Sequence, residues 1–255
     1  MSLQSIIRAL VCALAIGANA ATAWAVVPVT FGTSWDGPAT SLQKIVDSQV
    51  GAGNINVTTD YIGAHAGDVD PWFWVDSQVS AYLIREVAGN HDRNTLGWYV
   101  ENGIKPVLTN DGVHDGVVFD GPASAGASMI FTFPQPHTRF GFYLNPNGPG
   151  SVTNAPEPEL FFTNRTFNDL GPDGSGAIHA PFDGDVQALV FDVSRFVGTN
   201  TWLVCFEDLD TGANPGPCCT PTDNDFNDFV FEVTAWGATP VVPTTFGAVK
   251  ARYRR

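Results

Sequence analysis

Met129-Ile130-Phe131-Thr132-Phe133-Pro134-Gln135-Pro136-His137-Thr138-Arg139-Phe140-Gly141-Phe142-Tyr143-Leu144 is the stretch that decides the fold class. The runs 129–133 and 140–144 are rich in aromatic and branched residues, which suit a pleated, half-buried surface. The Pro-Gln-Pro between them can continue neither a helix nor a hydrogen-bonded ladder, so the stretch predicts two strands and a turn. The same pattern recurs at 79–87, 96–100, 105–108, 116–119, 160–163, 177–180, 188–191, 202–207 and 229–234. Turn residues separate these runs, among them Asn90-His91-Asp92-Arg93-Asn94 and Asn110-Asp111-Gly112. Short strands at spacings of roughly ten residues predict an all-β fold, an antiparallel β-sandwich of jelly-roll type. Residues 42–46 read equally as a helical turn or a strand, and no strong run of period 3.6 stands out in the mature domain.

Composition supports that class. Charged residues make up 15% of the 255, and aromatics 12%. Average proteins carry about 25% charge, so this chain has ample apolar surface to bury and is not a disordered one. The 26 Gly and 18 Pro argue against a helical bundle or coiled coil. Acids outnumber bases 26 to 12, for a net charge of -14, and 20 of the acids are Asp. Four of the bases, Lys250, Arg252, Arg254 and Arg255, sit in the last six positions, which leaves the body more acidic still. Such a surface repels phosphates, so nucleic acid is not an expected partner and a divalent cation is.

Residues 1–25 read as a secretory signal peptide: Arg8, an apolar stretch over 9–18, and the small-x-small endings Ala18-Asn19-Ala20 and Ala23-Trp24-Ala25. No later stretch approaches the roughly 18 apolar residues that a span requires. The mature chain is therefore expected to lack a transmembrane segment and to be secreted, extracellular, cell-surface or periplasmic. Residues 26–237 form one sandwich domain, and 238–255 a Pro-containing linker with a basic tail. Cys12 leaves with the signal. Of Cys205, Cys218 and Cys219, the first can pair with either of the others, closing a loop of about 14 residues worth roughly 3 kcal/mol; the third thiol is left over.

The run Asp223-Asn224-Asp225-Phe226-Asn227-Asp228 places oxygen side chains at alternate positions, a spacing that lets a curled chain aim several at one hard cation such as Ca2+. It is not an EF-hand, because positions six and twelve are Asp228 and Thr234 instead of Gly and Glu. A second acidic cluster, Glu207-Asp208-Leu209-Asp210, ends the run 202–207. If the strands at 202–207 and 229–234 are neighbours, both clusters meet at one end of a sheet. Without a cation these carboxylates repel or take up protons. Glu207, Asp208, Asp223, Asp225, Asn227 and Asp228 are the expected metal ligands. The competing reading is turn chemistry, since Asp and Asn also shape loops through their own backbone.

Trp72, Trp74 and Trp98 are candidate stacking rings for a surface glycan, or plugs between the sheets, the commoner use of such rings. No G-x-S-x-G, H-E-x-x-H or P-loop occurs, and the five His (65, 91, 114, 137, 179) are scattered. The expectation is a non-enzymatic, calcium-binding module, with carbohydrate binding or cell-surface adhesion to a glycan or protein as the alternative.

At Phe206-Glu207-Asp208-Leu209 and the Asp223–Asp228 run leading into Phe229-Val230-Phe231-Glu232-Val233, the chain resembles the bacterial secreted domain-of-unknown-function family "forty-one fourteen". Asn94-Thr95-Leu96-Gly97-Trp98-Tyr99 and Phe140-Gly141-Phe142-Tyr143-Leu144 are similar too, so the resemblance covers roughly 79–235. It implies a β-sandwich module of exported or cell-surface proteins with no settled activity, and an ion site at the acidic run.

Overall fold

The computed structural model describes residues 29–65, 71–88, 93–121, 123–136, 138–146, 160–168, 186–209 and 222–236. The expected signal, the run 177–180, Cys218, Cys219 and the tail 238–255 lie outside these. Among the described residues ten strands form: β1 (Phe73–Val75), β2 (Gln78–Glu86), β3 (Thr95–Val100), β4 (Asp115–Phe119), β5 (Ser128–Thr132), β6 (Thr138–Asn145), β7 (Phe161–Phe162), β8 (Ala188–Asp192), β9 (Thr201–Phe206) and β10 (Phe229–Trp236). Two helices accompany them among the described residues, α1 (Leu42–Val50) and α2 (Arg165–Asn168).

The strands make two five-stranded sheets. One runs β1-β6-β3-β4, with β7 also on β6; the other runs β5-β2-β10-β9-β8. Every pairing is antiparallel. The chain passes between sheets after β1, β2, β4, β5 and β7, and such repeated crossing is the jelly-roll trait. The expected antiparallel sandwich is therefore present. Among the described residues no helix is long and apolar enough to cross a membrane.

Alternation along the strands fills the space between the sheets. Val79, Ala81 and Leu83 of β2 point inward with Phe131, Phe140, Phe142, Trp202, Phe229 and Phe231. The rings meet edge to face, Phe73 on Trp202 at 5.6 Å between centroids, and Trp98 stacks on Phe131 at 5.7 Å. Such pairs add to plain area burial.

Three sequence expectations change here. Residues 42–46 are helical: Leu42, Ile45, Val46 and Val50 recur at helical spacing and are buried, and Gly51, at φ 87°, ends the helix with its N–H on the Asp47 carbonyl at 2.9 Å. This short amphipathic run joins one apolar cluster with Leu189, Phe191, Leu203, Cys205 and Val230, residues of β8, β9 and β10. Second, 105–108 is no strand; Pro106 lacks a ladder donor, and Leu108 packs with Tyr99, Tyr143 and Phe162 in a third cluster. Third, the disulfide expected at Cys205 is not formed. Its thiol is free, fully buried in that helix-bearing cluster, and burial pushes its pKa up.

On the β3–β6 pair, Gly97 stands opposite Tyr143 and Tyr99 opposite Gly141, so each tyrosine ring lies across the facing glycine. A Cβ on Gly97 would overlap the Tyr143 ring. Gly97→Ala is expected to lower stability by about 1–3 kcal/mol in urea unfolding, and Tyr143→Ala in the same chain to remove most of that clash as coupling in a double-mutant cycle.

Candidate metal centre

Sequence neighbours of β9 and β10 build the site. Phe206 pairs with Phe229, so Glu207 and Asp208 leave β9 where Asp228 enters β10. The Asp208 N–H donates to Asp228 Oδ2 at 2.9 Å across that junction. Ahead of Asp228 the chain curls, with Asn224 at φ 53° and Phe226 at φ 56°. A left-handed conformation is uncommon for a bulky residue. Phe226 is held there by its own burial and by an edge-to-face contact with Phe31 at 5.9 Å. The curl aims two successive N–H groups, of Asp225 and Phe226, at Glu207 Oε2, each at 3.2 Å.

A strap from the N-terminal segment braces this loop. The Trp35 N–H donates to Asp223 Oδ2 at 2.6 Å, and the Gly32 N–H to the Asn224 carbonyl at 3.1 Å. Asn227 Nδ2 donates to the Thr40 carbonyl at 3.1 Å and to Asp225 Oδ2 at 2.6 Å. From the start of β3, Asn94 Nδ2 donates to Asp208 Oδ2 at 3.1 Å.

Two sets of carboxylates result. In Glu207/Asp223/Asp225 one oxygen from each residue lies within 4.8 Å of the others, and Glu207/Asp208/Asp228 satisfies the same condition. The first set is the more open, since Asp223 is half-buried; all three members of the second are buried. Calcium holds oxygens at about 2.3–2.6 Å, so ligands on opposite sides of one ion stand about 4.6–5.2 Å apart. Either set can therefore hold a metal ion. Burial foremost raises the pKa values of Glu207, Asp225 and Asp228; the Asp223 charge adds to the rise at Glu207 and Asp225, and those of Glu207 and Asp208 at Asp228. A hydrogen bond between the Glu207 and Asp228 side chains lowers the pKa of the first and raises that of the second.

Of the residues singled out in sequence, Glu207, Asp208, Asp223, Asp225 and Asp228 come together. Asn227 is fully buried among them, but as a donor to Asp225 and Thr40; its Oδ1 has no hydrogen-bond partner. The proposed stacking rings fare differently. Trp98 is in the core at 3% exposure, so it offers no face to a ligand. Trp74 is half-buried against the same core, and Trp72 is half-buried with the Arg139 guanidinium 4.3 Å above its ring. Asn94, Gly32 and Trp35 escaped the sequence reading. Asn94 reads in sequence as a turn residue and the start of a family-like segment; it stands 114 residues before the Asp208 it contacts, and nothing local marks it as part of this site.

The fold and site define a β-sandwich with a pole of buried carboxylates. Residues 135–235 match the model of the family described as Domain of unknown function (DUF4114), so the resemblance read at the acidic run holds over β6 to β10. No curated protein and no solved structure matches the chain.

A Cβ on Gly32 would overlap the Asp223 carbonyl oxygen. Gly32→Ala should therefore push the strap off the acidic loop and destabilise the protein by about 1–3 kcal/mol. Gly37→Ala, where nothing lies within 4 Å of the added carbon, serves as control. Equal melting temperatures for the two variants would contradict the bracing role.

Proposed function

We propose that this protein is an exported, non-enzymatic β-sandwich module that binds calcium at its acidic pole, with Glu207, Asp223 and Asp225 as carboxylate ligands. The observation that carries this reading is the convergence of three carboxylate oxygens within 4.8 Å, anchored from behind by backbone N–H groups. All-oxygen donors suit a hard cation. Magnesium demands near-ideal octahedral geometry and keeps several of its waters, whereas calcium accepts the irregular shell of a curled loop. The ion neutralises carboxylates that burial otherwise disfavours, and so rigidifies the connection between β9 and β10. Export follows from the reading of residues 1–25 as a leader.

A second reading, recognition of a surface glycan, draws support from Trp35. The residue is 66% exposed while its backbone N–H is fixed on Asp223. A sugar could stack there beside the ion. Trp35→Ala would then abolish retention on a glycan array and leave calcium binding intact; unchanged retention sinks this reading alone.

The primary test is thermal melting in chelator, calcium and magnesium. Extracellular calcium modules bind at roughly 0.1–1 mM. At about ten times the dissociation constant, linkage gives roughly 1.4 kcal/mol, or on the order of 3–6 °C for a domain of this size. Calcium is expected to produce that shift, magnesium less, and Asp223→Asn/Asp225→Asn neither. No shift in the unaltered protein rejects the proposal.

The pH dependence has a definite sign. Because the folded carboxyls titrate above their ordinary values, the ion-free native state binds more protons than the unfolded chain between the ordinary and raised pKa values. Ion-free stability consequently falls as pH rises through that window. Calcium displaces those protons, so its stabilising shift should be larger at pH 8 than at pH 5. A shift that is equal at both, or greater at pH 5, contradicts the assignment of these carboxyls as ligands.

A further inference from the structure

We propose that β5 is an assembly edge: it pairs antiparallel with β5 of a second copy of this chain, centred on Ile130, and joins the two β5-β2-β10-β9-β8 sheets into one. The pairing is independent of the acidic pole.

β5 is the end strand of its sheet, with β2 as its neighbour. Phe133 donates its N–H to the Ser77 carbonyl at 3.0 Å, and the Ala127 carbonyl accepts the Leu83 N–H at 2.9 Å. In an antiparallel ladder such pairs recur at every second residue. Residues 127, 129, 131 and 133 therefore turn their backbone polar groups to β2, while Ser128, Ile130 and Thr132 turn theirs outward. Among the described residues no strand pairs with that outer side. The other sheet edges differ. β1 has only three residues. Along β4 the Asn110 Oδ1 accepts the Val117 N–H at 3.2 Å, and on β8 the Val190 carbonyl accepts the Ile62 N–H at 2.8 Å. Short or engaged edges are how sheets avoid pairing with other chains.

Nor does charge guard β5. Residues 121–136 contain no Asp, Glu, Lys or Arg, in a chain of net charge -14. A two-fold axis sets a surface against itself, so a charged edge would meet its own charge; this edge meets none. Ile130 is 57% exposed on the outer face, and Met129 37% exposed at the rim of the inner one. Centring on Ile130 sets Ser128 of one copy against Thr132 of the other, and Met129 against Phe131. Each outward N–H then faces an outward carbonyl, the two Ile130 side chains lie together, and Met129 is covered. The same axis reverses strand direction. The acidic pole lies at the Glu86 end of β2, where Phe229 pairs, so the two poles point to opposite ends of the joined sheet and do not repel.

The competing occupant is the chain's own tail. β10 ends at Trp236, which pairs with Gln78, itself opposite Thr132. Pro240 and Pro243, however, stand at an even and an odd position. Either register of 239–243 along β5 would turn one proline, which has no donor, towards the edge. A second β5 supplies every donor.

So short a ladder belongs to the weak class of interface, so concentration is the variable to scan. Sedimentation equilibrium in chelator from about 1 to 100 µM is expected to show a monomer–dimer equilibrium. Thr132→Pro removes an outward donor and spares the β2 ladder; Ile130→Lys puts like charges at the two-fold axis. Both are expected to stay monomeric throughout. Trp236→Lys, exposed on the same face two strands from the edge, is expected to dimerise like the unaltered protein. A monomer at every concentration, a dimer that both edge variants leave intact, or dissociation by Trp236→Lys as well overturns the proposal. Should the edge variants fail to fold, hydrogen exchange on the unaltered protein decides. The Ser128, Ile130 and Thr132 amides are expected to gain protection as concentration rises; equal protection at both ends of the range, the result if the tail covers the edge, overturns it.

Discussion

The antiparallel register that sets Phe206 opposite Phe229 is the constraint on which the rest depends. β9 and β10 are inner strands of their sheet, and β9 is buried at every position. Trp202, Val204 and Phe206 pack between the sheets, while Leu203 and Cys205 join the helix-bearing cluster. Because both faces are apolar, simple in-out alternation fixes the register less than the fit of these particular side chains does. A one-residue slip would exchange the large inner set for the smaller outer one, which close-packed interiors resist. A two-residue slip would keep the faces but draw the Asp208 N–H away from the Asp228 carboxylate. Only the observed pairing satisfies the core and brings the acidic ends of the two strands together.

Holding carboxylates in that position strains the molecule in two ways. Burial disfavours their charge, as the raised pKa values of Glu207, Asp225 and Asp228 record. The curl that gathers them also puts Phe226 at a positive φ. A left-handed bulky residue costs of order 1–3 kcal/mol, and complete burial of its ring offsets a cost of that size. Phe226, in the curl between Asp225 and Asp228, is thus an apolar anchor.

Much of this was legible in the sequence. Nine of the ten strands coincide with short aromatic and β-branched runs between turn residues, because strand identity here is a local property of side-chain shape. The adjacency of the two acidic clusters followed once the runs at 202–207 and 229–234 were read as neighbouring strands. What escaped was non-local or short. β1 is only three residues, too brief for alternation to register. α1 shows its helical spacing over nine residues and could be mistaken for a strand until its buried face is known. Asn94 and Gly32 carry no local signal of this site; one matters through an amide placed by β3, the other through the absence of a side chain where the strap crosses Asp223. The pairing drawn for Cys205 failed because its neighbours in sequence say nothing about which face of β9 it takes.

The strap also joins the pole to the helical layer. Phe31 touches Phe226 at 5.9 Å on one side and Tyr61 at 6.1 Å on the other, and the Tyr61 hydroxyl accepts the Val29 N–H at 2.9 Å. Asn227 reaches the Thr40 carbonyl, just ahead of α1. Any force that straightens the acidic curl must therefore move Phe226, and with it the contact surface that holds residues 29–40 and α1 over β8 and β9. The family match begins at residue 135, so Gly32, Trp35 and Asn94 all lie outside it. The acidic residues come from the matched segment, while the strap and the amide that shape their surroundings are contributed by the part of the chain before it. The geometry of this pole is thus a property of the whole sandwich with its N-terminal strap, and the acidic motif alone does not specify it.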